Sequence, residues 1–237
     1  MNSSRLLAIS FDCYGTLIDW EAGIVPVLKN VLAKHGHLLS DTSILELYGE
    51  FEAEAESGPY RPYREVLSSV VASFAHQFNF DASAAELRVL QESVPNWRPF
   101  TDTVEALRQL QNNYKLAIIS NVDDDLFAAT SKHLGIQFDA VITAQQAKSY
   151  KPSLNNFQLA LRALSLFPDQ LLHAAQSIYH DVVPAKSLGM ATAWVNRKSA
   201  RPGVGAVITS TASDADKKPD LEVPNIASLM EALQIRR

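Results

Sequence analysis

A single cysteine, Cys13, stands in a chain of 237 residues, so an internal disulfide is excluded. That scarcity suits a reducing compartment. Long apolar runs are missing as well: none approaches the roughly 18 residues that a membrane-spanning helix requires. Clustered positive charge is also absent. The formal net charge is −5 and the pI about 5.7, and no basic stripe occurs, which argues against nucleic acid or an anionic membrane as a partner. Residues Met1 to Arg5 run straight into an apolar segment and leave no room for a signal peptide, so the expected compartment is the cytoplasm. No internal repeat or low-complexity tract is found.

What is present is enough apolar material, 47% of residues against 20% charged, for a substantial core and a second, smaller domain. The chain is organised around residues 6–18. Their apolar, β-type run ends on a carboxylate, Asp12, and Gly15 just beyond supplies the backbone freedom for a sharp turn. In open α/β sheets the ligand crevice lies outside the carboxyl ends of the strands, which places Asp12 where chemistry would occur. Cys13, next along, is expected to face away from the site that Asp12 lines, and no neighbouring His is available to activate its thiol.

Residues 19–98 carry helical periodicity and almost no strand signal. Ile24, Val27, Leu28, Val31 and Leu32 predict one helix, stopped by Gly36. A second is expected after Asp41 as its cap, with Ile44, Tyr48, Phe51 and Ala55 on one face and Glu46, Glu50, Glu52, Glu54 and Glu56 as its solvated side. A third should run from Pro62 through Val66, Val70, Phe74 and Phe78, and Leu87 and Leu90 suggest a fourth. The aromatic stripe of Tyr48, Phe51, Phe74 and Phe78 reads as core or as substrate wall.

From Arg98 onward helices and strands alternate. Strands are expected at 115–119, 140–143, about 173–178 and 192–195, with intervening helices near 103–110, 125–134, 153–164 and 184–189 and a last one near 225–233. Residues 197–220 read as a long loop with a short strand at Val207 and Ile208. The expected fold is α/β, a Rossmann-like parallel sheet formed by residues 1–18 and 99–237, with the helical block 19–98 inserted after the first strand.

The residues Asp12, Cys13, Tyr14, Gly15, Thr16 and Leu17 resemble the first motif of the haloacid dehalogenase superfamily, whose members use that Asp as a nucleophile. Phosphatases of the superfamily carry a second Asp two residues on; the 2-haloacid dehalogenase branch carries Tyr, as here at Tyr14. Ser120 and Asn121 resemble the second motif, Lys151 before Pro152 the third, and Asp181 the second acid of the fourth, with Gln176 where the first acid would stand. The resemblance implies that the helical insert is a cap closing over the site.

The resemblance further implies an aspartyl-ester mechanism on a small carboxylic acid. Asp12 would displace a halide, Thr16 would orient Asp12, and Ser120 and Lys151 would hold the anionic substrate, with Tyr14 beside it. Asn121 would help receive the halide, and Asp181 would serve as base for the hydrolytic water. His180 either tunes Asp181 or simply packs. With Tyr14 and Gln176 in place of acids, Mg²⁺ is expected to bind weakly or not at all. A halide leaves without a proton, so no general acid is needed; Tyr14, with an ordinary pKa near 10, would serve a phosphatase poorly.

The pattern is incomplete in two places. No Arg lies between Arg5 and Arg61 to draw off the halide, a task for which Arg61 and Arg64 are the nearest substitutes, and the Tyr expected six residues after Lys151 is Phe157. A Mg²⁺-dependent phosphatase and a non-hydrolytic binding member of the superfamily are the alternatives. A homodimer is compatible with an exposed apolar helix in the cap.

Overall fold

The computed structural model describes residues 5–197 and 218–234. Its frame is a six-stranded, wholly parallel sheet in the order β3-β2-β1-β4-β5-β6, formed by β1 (Ala8–Phe11), β2 (Lys115–Ser120), β3 (Ala140–Thr143), β4 (Leu171–Ala175), β5 (Ala191–Val195) and β6 (Leu221–Val223). Four apolar or small residues, all buried, make β1 the central strand. From β1 the chain moves outward through β2 and β3, then returns to build β4, β5 and β6 on the other side. The order therefore reverses between β1 and β4, and a crevice opens at their carboxyl ends.

Between β1 and β2 come α1 (Trp20–Lys34), α2 (Asp41–Glu56), α3 (Tyr63–Gln77) and the short α4 (Val89–Ser93), the last flanked by single 3₁₀ turns. Ser40, not Asp41, caps α2: its hydroxyl accepts the Ser43 N–H at 3.1 Å, and Asp41 is already helical. The remaining helices are α5 (Thr103–Leu110), α6 (Asp124–Leu134), α7 (Ala144–Ala147), α8 (Leu154–Leu164), α9 (Val183–Ser187) and α10 (Ile226–Gln234). Gly135 ends α6 in the left-handed conformation, at φ +66°.

Alternation along β1 sorts the core. Ile9 and Phe11 join one apolar cluster that also includes Ile24, Leu28, Tyr48 and Phe74 of the helical block, while Ala8 joins a second on the opposite face with Ile119, Phe157 and Leu164. Cys13 is buried in the first cluster and does not line the site. Among the described residues, Leu38, between α1 and α2, is the one exposed large apolar side chain of the helical block, so no helix there presents an apolar face to solvent. No helix among them is long and apolar enough to cross a membrane.

Two strand boundaries differ from expectation. β4 spans Leu171–Ala175 because the chain leaves the ladder at Gln176, whose N–H turns to the Thr16 hydroxyl and whose carbonyl accepts the Trp194 indole N–H. β6 was not expected, since Leu221–Val223 is too short for alternation to register. The strand expected at Val207 and Ile208 lies outside the described residues.

A buried carboxylate helps tie the helical block to the sheet. Helix α3 has no side-chain cap of its own, Pro62 holding that position. Asp123, at the start of α6 and nearly inaccessible, caps it from across the interface: its carboxylate oxygens accept the N–H groups of Tyr63 at 2.9 Å and Arg64 at 3.0 Å. Asp123→Ala is expected to destabilise the protein by about 2 kcal/mol, combining a lost cap with N–H groups left unpaired. Asp123→Asn, which keeps one acceptor oxygen, should lose less. Urea unfolding midpoints would check both.

Candidate active site

The carboxyl ends of β1, β2 and β4 supply the site. Asp12 follows β1, Ser120 closes β2, and Gln176 follows β4. The intervening turn depends on Gly15: its φ is +91°, and an added Cβ would sit 2.9 Å from the Trp20 indole nitrogen. Thr16 is thereby turned back on Asp12, donating its hydroxyl to Oδ2 at 2.7 Å while accepting the Gln176 N–H at 2.9 Å. Arg197 holds the same turn from outside, donating to the Thr16 carbonyl at 2.8 Å while pairing with Asp102.

Lys151 reaches the site from between α7 and α8. Its ammonium donates to Asp12 Oδ1 at 2.8 Å, to Asp181 Oδ1 at 2.7 Å and to the Ile119 carbonyl at 2.9 Å. All three protons are thus committed within the protein. In this arrangement Lys151 neutralises two buried acids and fixes their separation. Those two neighbouring charges raise its pKa against the effect of burial.

The two acids respond differently to the same ammonium. Burial raises Asp12 above the usual carboxylate range; the Lys151 charge opposes that, and the Asp181 charge adds to it. For Asp181 burial also acts upward, but Lys151 and a hydrogen bond from His173 outweigh it and hold the carboxyl at about 2.

His173, in β4, was not singled out from the sequence. It is fully buried, with Nε2 2.9 Å from Asp181 Oδ1 and Nδ1 2.9 Å from Ser10 Oγ. In the neutral ring, Nε2 donates to Asp181 and Nδ1 accepts from Ser10. Phe157, where a tyrosine was the expected residue, is buried and meets the His173 ring edge-on at 5.2 Å. It takes no part in lining the pocket.

The pocket itself encloses about 130 Å³. The six residues expected to be catalytic meet around it, with Thr16 behind Asp12. Ser120 lines the pocket with a buried Oγ that has no hydrogen-bond partner among the described residues, leaving it available to a ligand. Asn121 is less available. Its Oδ1 accepts the Lys151 N–H at 2.8 Å, and its Nδ2 faces the Lys151 carbonyl at 3.3 Å and Glu56 at 3.4 Å, so its amide chiefly secures Lys151. Tyr14 presents its ring to the pocket but sends its hydroxyl to Thr130 at 2.9 Å. His180 also lines the pocket, and burial lowers its pKa, which keeps it neutral near pH 7.

The opposite wall comes from α2 and needs a correction. Glu52 and Glu56, expected on a solvated face, turn into the pocket with Tyr48. Glu52 Oε1 accepts the hydroxyls of Tyr48 at 2.8 Å and Tyr63 at 2.6 Å. Phe51 and Phe74 pack edge-to-face at 5.1 Å in the core instead. Nor do Arg61 and Arg64 substitute for a halide-binding arginine. Arg61 donates to the Ala55 carbonyl and to Ser69, Arg64 to Asp123 and Asp125, and neither lines the pocket. Sequence spacing carried the signal for α2, since Tyr48, Glu52 and Glu56 recur every fourth residue and must share a face.

Magnesium does not fit this donor set. One oxygen each of Asp12 and Asp181 is already bonded to Lys151, the second oxygen of Asp12 is bonded to Thr16, and Gln176 and Tyr14 stand where further acids would be needed. Among the described residues no three His, Cys, Asp or Glu side chains group to hold a metal.

The central strand of a wholly parallel sheet thus ends on a buried carboxylate that a lysine bridges to a second acid, at the point where the strand order reverses. The chain belongs to the haloacid dehalogenase-like hydrolase family, whose model matches residues 9–195. It is 24% identical over 229 residues to the (S)-2-haloacid dehalogenase of Pseudomonas sp. (strain YL), covering 95% of this chain and 94% of that protein. It is also 27% identical over 199 residues to pyrophosphatase PpaX of Bacillus velezensis, covering 82% and 85%. In fold it resembles L-2-haloacid dehalogenase from Xanthobacter autotrophicus, with a TM-score of 0.80 over 97% of this chain and 98% of that one, at 20% identity.

Proposed function

We propose that the chain is a metal-independent hydrolase of the haloacid dehalogenase type. The Asp12 carboxylate attacks a halogen-bearing carbon, the halide departs with the bonding pair, and water then cleaves the aspartyl ester to an alcohol and free Asp12. The observation that carries this reading is the setting of Asp12: both oxygens are fixed, by Lys151 and Thr16, in the wall of the pocket. The donor set is unsuited to Mg²⁺, which disfavours the phosphatase alternative.

On this reading Thr16 and Lys151 position the nucleophile, and Ser120 offers its free hydroxyl to a substrate oxygen. Asp181 keeps Oδ2 without a partner among the described residues and orients the hydrolytic water. With its carboxyl held at about 2 it polarises that water better than it captures a proton, so the neutral His180 accepts the proton. Residues 19–98 act as the cap, residues 1–18 and 99–237 as the core, and the enzyme works in the cytoplasm without a cofactor.

Turnover in H₂¹⁸O is expected to place ¹⁸O in the Asp12 peptide, read by mass spectrometry. Label confined to the product would mean direct attack by water and would overturn the proposal. His180→Phe should slow ester hydrolysis about a hundredfold, so that the esterified peptide accumulates in quenched samples. Unchanged ester levels would remove His180 from the mechanism.

A further inference from the structure

We propose that the Trp20 indole N–H and the Gln176 side-chain amide form an arginine-free seat for the departing halide, one that serves chloride or bromide and not fluoride. The inference rests on the proposed displacement at Asp12, and it narrows the substrate class to haloacids with a heavier halogen.

Charge creates the need. When Asp12 forms its bond to carbon, the halide leaves with the bonding pair and no proton, so a full negative charge appears in a pocket of about 130 Å³. No cation is free to meet it. Lys151 is bonded to three protein oxygens, and Arg61 and Arg64 do not line the pocket. Neutral donors aimed at the developing charge must take that place.

Few such donors remain. The hydroxyls of Tyr14, Tyr48 and Tyr63 are bonded to Thr130 and Glu52, and the Trp97 indole to Ser93. Asn121 secures Lys151, and His180, which accepts a proton in the mechanism above, offers none. Besides the Ser120 hydroxyl, assigned to a substrate oxygen, Trp20 and Gln176 line the pocket with N–H groups that have no hydrogen-bond partner among the described residues. Both side chains are half-buried and so within reach of a ligand.

Placement supports the pairing. Trp20 opens α1 directly after its Asp19 cap, with its backbone N–H donating to the Ile18 carbonyl at 3.0 Å and its ring against Tyr48 at 5.4 Å, so the indole is held before any ligand arrives. Gln176 is held too, its N–H on Thr16 and its carbonyl on Trp194. Gly15 brings them together: the point its missing Cβ would occupy lies 2.9 Å from the indole nitrogen and 3.7 Å from Oε1 of Gln176. An acid at position 176 would repel a halide, whereas an amide donates to it. Burial pushes the Glu52 and Glu56 carboxyls up, so their wall opposes an anion less than two carboxylates would. Fluoride, the most basic of the halides, needs a cation or a proton in order to leave, and two neutral donors supply neither.

The test compares kcat/KM, which reports the displacement step, for 2-bromo-, 2-chloro- and 2-fluoropropionate. The wild type should release bromide and chloride but no measurable fluoride. Trp20→Phe, which keeps the ring against Tyr48, and Gln176→Leu should each slow chloride release about tenfold and bromide release less, because the poorer leaving group draws more on the donors. Partial unfolding would lower both rates alike. A chloride-to-bromide ratio unchanged in both variants, or wild-type fluoride release as fast as chloride release, overturns the inference.

Bromide binding to the substrate-free protein separates this result from the chemistry. In an NMR titration with sodium bromide at constant ionic strength, the Trp20 indole N–H resonance should shift saturably while that of Trp97, held by Ser93, stays in place. Gln176→Leu should raise the bromide concentration required about tenfold. Those results support the inference even if no substrate turns over; an unshifted Trp20 resonance overturns it. Failure of halide displacement itself would appear separately, as no ¹⁸O in Asp12 with any of the three acids.

Discussion

Lys151→Met is expected to destabilise the protein by about 3 to 5 kcal/mol and to lower kcat by about a thousandfold or more. The side chain is almost fully buried, and its ammonium is the only cation that contacts Asp12 and Asp181 in the structure described. Methionine of similar length leaves two buried carboxylates facing one another across an apolar group, which is far costlier than never having formed the pair. The pH profile should move as well. Asp12 already titrates above the usual range because burial disfavours its charge, and Lys151 opposes that rise. Removing Lys151 raises the Asp12 pKa further, so this carboxylate is protonated over a wider acid range. The acid limb of kcat/KM should therefore shift to higher pH. Chemical denaturation and a pH–rate profile check the two halves, and an unmoved acid limb would contradict the electrostatic assignment.

Gly23→Ala should destabilise by about 1 to 3 kcal/mol and reshape the pocket. Gly23 lies in α1, and a Cβ built on it would fall 2.3 to 2.6 Å from three atoms of the Trp97 indole ring. That indole has little room to retreat: it is almost completely buried, packs edge-on against Tyr14 at 5.5 Å and donates to Ser93 at 3.0 Å. Because Trp97 and Tyr14 both line the pocket, the displacement should reach substrate binding and raise KM while Asp12 keeps its local hydrogen bonds. Thermal unfolding with steady-state kinetics would show this. A normal melting temperature would mean that the helix, not the indole, gives way.

The frame of the molecule was readable because it depends on local, periodic information. The apolar run before Asp12, the glycine turn after it and the regular alternation beyond Arg98 each announce one element. Lys151 could be placed because its motif sits in sequence order with the others. What escaped depends on facing. Glu52 and Glu56 look solvated when counted as a charge run and pocket-lining when counted at four-residue intervals beside Tyr48, and sequence alone does not say which side the sheet occupies. His173 hid inside an apolar strand, its partners Ser10 and Asp181 lying 163 and 8 residues away. Asp123 is further from legible still, since it caps a helix that begins 60 residues earlier.

Asp123 also constrains motion. Its carboxylate grips the first turn of α3, the Tyr150 hydroxyl donates to the Arg61 carbonyl at 2.9 Å just before that turn, and these two anchors sit beside Asn121 and Lys151 respectively. A displacement of the first turn of α3 would therefore be felt by both of the segments that flank Asp12. The seat of that helix and the surroundings of the Asp12 carboxylate are thus joined through side-chain to backbone hydrogen bonds instead of through apolar packing alone.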